Sequence, residues 1–202
     1  MPLARIPFAR IANVLAIMLS LLSTGCAGGV GGAWDIGRAG HDADLPSGKE
    51  SYIVLGIQPE YTQVSLFRGR VSDGVFHQNV LLPASFVGQP EDRFIVSRSS
   101  ARDVLAITYV VMFTNKSDAF QPVLVPCEGA KTAVISVPAG KVIYVGDVRY
   151  QYSARGVVPE FSNDLDAAKA YMTTHYPKLA EKLEQGQFDL MPAVGQGQCA
   201  RH

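Results

Sequence analysis

The sequence predicts a mainly β fold, an antiparallel β-sandwich of about seven to nine strands followed by a C-terminal α-helix, either a helical hairpin or one kinked helix. Three observations carry this. From residue 51 onward the apolar residues cluster in short runs rich in Val, Ile, Tyr and Phe. Turn chemistry separates those runs. After residue 162 the apolar period changes from two to between three and four, the helical repeat.

The elements follow in order. Tyr52–Ile57 is a continuous apolar run, suited to a strand covered on both faces. Thr62–Arg68 and Val75–Leu82 flank a turn at Asp73-Gly74, a pair that tolerates positive φ and predicts a hairpin. Arg93–Arg98 is a further short strand. Val104–Phe113 is apolar apart from Thr108. Ten residues are too few to span a bilayer as a helix, and the β-branched Val104, Ile107, Val110 and Val111 favour a central strand. Gln121–Val125, Thr132–Val137 and Val142–Tyr152 complete the set, the last two joined by Pro138-Ala139-Gly140-Lys141. In Val142–Tyr152 simple alternation puts Val142, Tyr144, Gly146, Val148, Tyr150 and Tyr152 on one face, with Ile143, Val145, Asp147, Arg149 and Gln151 on the other.

Leu165, Ala168, Met172, Tyr176, Leu179 and Leu183 form one apolar stripe on a helix. Asn163 is the expected cap, and Asp164 and Asp166 suit the positive end of the helix dipole. Pro177 disfavours helix at Tyr176, so a break is expected there, with a second segment to about Gln185 and Gly186 as its stop.

The N-terminus has a different character. Arg5 and Arg10 precede the apolar stretch Ile11–Thr24, which is short for a permanent membrane span and fits an export signal. It ends in Leu22-Ser23-Thr24-Gly25-Cys26. This segment resembles the lipobox of bacterial lipoproteins, with Ser23 where Leu is commonest. The resemblance implies a signal peptide over 1–25 and a lipid on Cys26, the first mature residue. It also implies a membrane anchor, and two or three acyl chains at about 0.8 kcal/mol per buried methylene hold a domain stably. Ala27, where enteric-type lipoproteins retained in the inner membrane carry Asp, implies the outer membrane and its periplasmic face. Ile135–Tyr144, with its Pro-x-Gly turn before a strand, resembles a segment of immunoglobulin-like and prealbumin-like modules. Ile143-Tyr144-Val145-Gly146-Asp147, Asn163-Asp164 and Tyr176-Pro177 together look similar to the C-terminal part of uncharacterised envelope lipoproteins.

Residues 26–50 read as a lipidated tether, because glycines at 28, 29, 31, 32, 37, 40 and 48 make flexible coil. Trp34 within it suits either a membrane interface or the domain surface. His41 and Asp42 are expected to be solvated. The folded unit is then 51–202. Cys127 and Cys199 remain after Cys26. In an oxidising compartment they suggest one disulfide, worth about 4 kcal/mol in the chain-entropy picture. Free thiols, a metal pair or an intermolecular bond stay open.

The chemistry carried by local motifs is thin. Balanced charge, 18 Lys+Arg against 18 Asp+Glu, argues against a nucleic-acid partner. The apolar content argues against a disordered chain. There is no Gly-x-Ser-x-Gly, no phosphate loop and no dinucleotide fingerprint. His41, His77, His175 and His202 are scattered without zinc spacing. His77 is expected on a strand surface, and His175 to complement a helix end. Glu91, Asp92, Arg93, Arg98, Arg102 and Asp103 form a mixed-charge patch, expected to be solvated. No catalytic residue, cofactor or metal ligand is assigned. The expectation is a non-enzymatic, lipid-anchored envelope protein that meets another envelope protein or the cell wall. The alternative is a periplasmic hydrolase or small-ligand-binding lipoprotein.

Overall fold

A computed structural model describes residues 36–113, 122–126, 130–153 and 156–194. Its strands are β1 (Glu50–Gln58), β2 (Thr62–Ser72), β3 (Val75–Gln78), β4 (Phe86–Gly88), β5 (Phe94–Ser100), β6 (Val104–Met112), β7 (Val123–Leu124), β8 (Lys131–Ser136), β9 (Val142–Ser153), β10 (Gly156–Ser162), β11 (Leu183–Gln185) and β12 (Asp189–Val194). Two helices, α1 (Leu165–His175) and α2 (Pro177–Ala180), lie between β10 and β11.

The fold is mainly β, in two sheets of mixed orientation. One runs β10–β9–β1–β5, with β11 also paired to β9. The other runs β4–β2–β3–β12–β8–β6–β7, and an additional β2–β6 pairing closes β2, β3, β12, β8 and β6 into a five-stranded barrel. The expected purely antiparallel arrangement does not hold. β1 pairs with β9, β11 with β9 and β12 with β3 in parallel. A parallel pair needs a long crossover, and all of β2 to β8 lies between β1 and β9. Four strands exceed the expectation: the short β4 and β11, and β10 and β12, which contain Pro159 and Pro192.

Local chemistry explains several joints. Asp73 (φ 52°) and Gly74 (φ 73°) make the two-residue turn of the β2–β3 hairpin, with Ser72 opposite Val75. Val75–Leu82 was too long a strand to expect, since β3 ends at Gln78 and Leu81 stands in solvent. Asp164, not Asn163, caps α1, its Oδ1 accepting from the Ala167 N–H at 3.1 Å. The break falls at Tyr176, as Pro177 requires. Helix then stops at Ala180, and Leu183–Gln185 is strand β11 rather than helix, because it finds open backbone groups beside Val142–Tyr144.

Three apolar layers result. Ile53, Leu55, Ile95, Ile143 and Val145 of the first sheet meet Leu66, Leu105, Ile107 and Ile135 of the second. On the first sheet's other face, Tyr52, Val54, Phe94, Val96 and Tyr144 pack against Ala168, Tyr171, Met172, Tyr176 and Leu179. Each such large side chain, fully buried, contributes about 1.5–3 kcal/mol. Phe76, Ala106, Val134 and Ala193 make a small third cluster where β3, β12, β8 and β6 meet.

Simple alternation fails in the middle of β9. The β1–β9 register shifts between Val54, opposite Tyr144, and Gly56, opposite Asp147. Gly146 sits at this bulge with φ 121°. The extra residue flips the side-chain phase. Ile143 and Val145 therefore share the inter-sheet core with Val148 and Tyr150, and Asp147 joins Tyr144 on the helix side.

Residues 36–44, expected within the tether, lie on the domain instead. Ile36 exchanges two backbone bonds with Val87 of β4, Ala39 N–H donates to Val96 O, and Arg98 N–H donates to Gly37 O. This strap closes the edge shared by β4 and β5. Tyr176 Oη donates to Ala39 O at 3.1 Å beneath it. The unpaired edges of two strands outweigh the chain entropy that the glycines would keep. Residues 26–35 of the expected tether, with Trp34, lie outside the described residues, as does the signal segment, while its last residue, Glu50, opens β1.

Candidate functional site

The turn between β4 and β5 organises two polar clusters. Glu91 and Phe94 exchange both backbone bonds at 2.8 Å, and the two residues between them, Asp92 (φ 45°) and Arg93 (φ 79°), are left-handed. Non-glycine residues rarely take this conformation. It lets three consecutive charged side chains reach different neighbours.

Arg93 turns inward. Its guanidinium lies 3.0 Å from Asp147 Oδ2 and 3.3 Å from Asp164 Oδ2. Tyr144 Oη donates to Asp147 Oδ2 at 2.7 Å and accepts from the Asp164 N–H at 2.8 Å. Burial first, and the bond to Asp147 second, push the Tyr144 phenol above its ordinary pKa. This network ties the β4–β5 turn, the β9 bulge and the start of α1 together. Within it, Arg93 Nε and Asp147 Oδ1 are buried without a hydrogen-bond partner among the described residues.

Glu91 and Asp92 turn toward the strap and the helix end. Glu91 Oε2 lies 3.0 Å from His41 Nε2, and Glu91 Oε1 lies 3.8 Å from His175 Nδ1. His175 Nε2 lies 3.2 Å from Asp92 Oδ2. One ligand atom from each of His41, Glu91 and His175 can be chosen so that all lie within 4.8 Å of one another. Aromatic rings hold the imidazoles. His175 stacks on Tyr171 at 4.5 Å and 25°, and His41 meets the Tyr176 ring edge-on at 4.9 Å. Tyr171 Oη also reaches Glu91 Oε2 at 3.4 Å. Burial raises the pKa of both tyrosines, keeping them as neutral donors.

A third feature lies at the other end of both sheets. Ile107, Leu124, Val125, Tyr150, Val157 and Phe161 line a largely apolar cleft of about 100 Å³ between β7 and β10. Val123 and Val158 on its two flanking strands are exposed.

The residues singled out from sequence fare differently. Cys26, Cys127 and Cys199 all lie outside the described residues, so the lipid attachment and the bridge rest on sequence alone. His77 sits on β3 opposite Arg70 and beside Val194, away from the other described histidines. His41 and His175 are neither simply solvated nor simply a dipole partner, since both face Glu91. The mixed-charge patch divides: Arg98 pairs with Glu50 at 2.5 Å and Asp103 with Arg68 at 2.7 Å, while Glu91, Asp92 and Arg93 form the turn. No local spacing could reveal the histidine cluster, because its members come from positions 41, 91 and 175. Among the described residues, no helix is long and apolar enough to cross a membrane. Comparison with known protein families, curated proteins and solved structures finds nothing that matches the chain.

Proposed function

We propose that this protein is a lipid-anchored component of a bacterial envelope, held in the outer membrane through Cys26 and facing the periplasm. It presents a β-sandwich-like domain to another envelope component, a protein or the cell wall, and acts by binding rather than by catalysis. The observation that carries the reading is Leu22-Ser23-Thr24-Gly25-Cys26 after a short cationic and apolar leader. The cleft between β7 and β10 supports the binding half. Its lining is mostly apolar, its flanking edges carry exposed Val123 and Val158, and it lies at the end of the sheets opposite the strap that leads to the anchor.

Mass spectrometry of protein from cell membranes tests the anchor. The expected N-terminal peptide begins at Cys26 and carries lipid mass, and Cys26→Ala moves the protein out of the membrane fraction. A peptide that starts before Cys26, or an unmodified Cys26, defeats the reading. Crosslinking in intact cells tests the binding half, with recovery of an envelope partner lost on Val158→Asp.

The apolar lining of the cleft favours a second reading, a lipoprotein that binds a ligand small enough for about 100 Å³. Native mass spectrometry of the purified protein separates the two: a retained small molecule supports the second.

A further inference from the structure

We propose that His41, Glu91 and His175 form a binding site for one divalent transition-metal ion of the zinc class, and that this ion fastens the strap to the helix. The inference goes beyond the envelope-binding reading and does not depend on it.

The donor set is two imidazoles and one carboxylate, without sulfur. That combination suits zinc and its neighbours rather than calcium or magnesium, which prefer oxygen alone. The ligand atoms are already gathered within 4.8 Å of one another, from three separate elements. Each is held by something other than the cluster. The strap before His41 is fixed by the Ala39 backbone bonds to Val96 and Tyr176. Glu91 is fixed by its reciprocal backbone pair with Phe94, and His175 by the Tyr171 ring. Closing from these positions to metal–ligand distances of about 2.0–2.2 Å needs side-chain rotation, not refolding.

The surroundings add an independent sign. A metal-bound histidine almost always donates its second ring N–H to a carboxylate or carbonyl, which fixes the tautomer and raises ligand basicity. Here His175 Nε2 faces Asp92 Oδ2 at 3.2 Å. With the proton on Nε2, Nδ1 presents its lone pair toward Glu91, at 3.8 Å, beyond hydrogen-bond reach. Tyr171 Oη supplies the matching donor to the Glu91 carboxylate. The left-handed Asp92 is what lets Glu91 bind while its neighbour supports His175. Half of the His41 side chain is exposed, at 53%, so solvent can take the fourth position. An ion here cross-links the segment that emerges from the tether to α1 and to the β4–β5 turn.

The test is zinc titration of the full chain in detergent, with free thiols alkylated so that cysteines cannot compete. Cobalt(II) substitution reads the coordination by its visible spectrum. The expected result is one ion per chain, a tetrahedral-type cobalt spectrum and a raised melting temperature. Glu91→Gln and His41→Ala remove the site, and Asp92→Asn weakens affinity by about 10–100-fold. Circular dichroism of the metal-free variants checks their folds, and His41→Gln replaces His41→Ala if that variant melts early. Zinc binding of equal strength in Glu91→Gln, or no stoichiometric binding by the parent chain, overturns the proposal.

Discussion

Gly56 and Asp147 oppose each other across the parallel β1–β9 pair so closely that only hydrogen fits between them. A Cβ built on Gly56 would stand 1.7 Å from Asp147 Oδ1 and 2.7 Å from its Cγ. Asp147 is 3% exposed, and Oδ1 has no hydrogen-bond partner among the described residues, whereas Oδ2 takes both Tyr144 and Arg93. The bulge at Gly146 turns this carboxylate to the helix side, and Gly56 leaves it the space.

Gly56→Ala is therefore expected to destabilise the fold by about 1–3 kcal/mol, the usual cost of overpacking, measured as a lower urea midpoint. The double variant Gly56→Ala, Asp147→Ala should lose less than the sum of the two single variants, because Asp147→Ala removes the clash. Strict additivity would mean that the two side chains do not compete for one space.

Asp164→Ala should cost about 1 kcal/mol for the lost helix cap. It also removes one of the two carboxylates beside Arg93. Asp164→Asn keeps an oxygen for the Ala167 N–H but not the charge, and should recover most of the loss. If Asn recovers nothing, the ion pair with Arg93 outweighs the cap.

The helix was legible because its signals are local. Tyr176-Pro177 forces the break and the spacing of Ala168, Met172 and Leu179 gives the buried face, all within one stretch of chain. The central strands were legible for the same reason. What pattern reading missed depends on distant partners. β12 is a strand because β8 and β3 offer it open backbone groups, despite Pro192. The phase flip in β9 comes from a bulge against β1, which no alternation within Val142–Tyr152 reveals. The strap looked like coil from its glycines, and is held by β4, β5 and Tyr176. The His41, Glu91 and His175 cluster exists only once the strap, the β4–β5 turn and the end of α1 have come together.

Tyr176→Phe tests the strap directly. It keeps the packed ring and removes the hydroxyl that donates to Ala39 O and meets Arg38 and Tyr171. The expected cost is about 1–2 kcal/mol, as for a buried acceptor left without its donor. Protease cleavage within residues 36–44 should accelerate more than cleavage elsewhere. Uniform acceleration would show that the strap opens only with the whole domain.

Burial holds several tyrosines neutral, and this sets an upper pH limit on stability. Tyr144, Tyr150, Tyr171 and Tyr176 all have raised pKa values, with desolvation the largest cause in each. A phenol that ionises near pH 10 when unfolded but not when folded leaves the unfolded state with fewer protons at alkaline pH. Stability from this source is fully present below about pH 10 and is lost as pH rises above it, by about 1.4 kcal/mol per pH unit for each such tyrosine. The urea midpoint should hold steady up to about that pH and then fall. Phenolate absorbance from these side chains should grow together with the loss of circular dichroism, not ahead of it. Tyr150→Phe keeps the buried ring and removes one ionisable group, so the alkaline slope should become shallower by one tyrosine's share. An unchanged slope would mean that the Tyr150 phenol ionises equally easily in the folded and unfolded protein, contrary to its burial between the sheets.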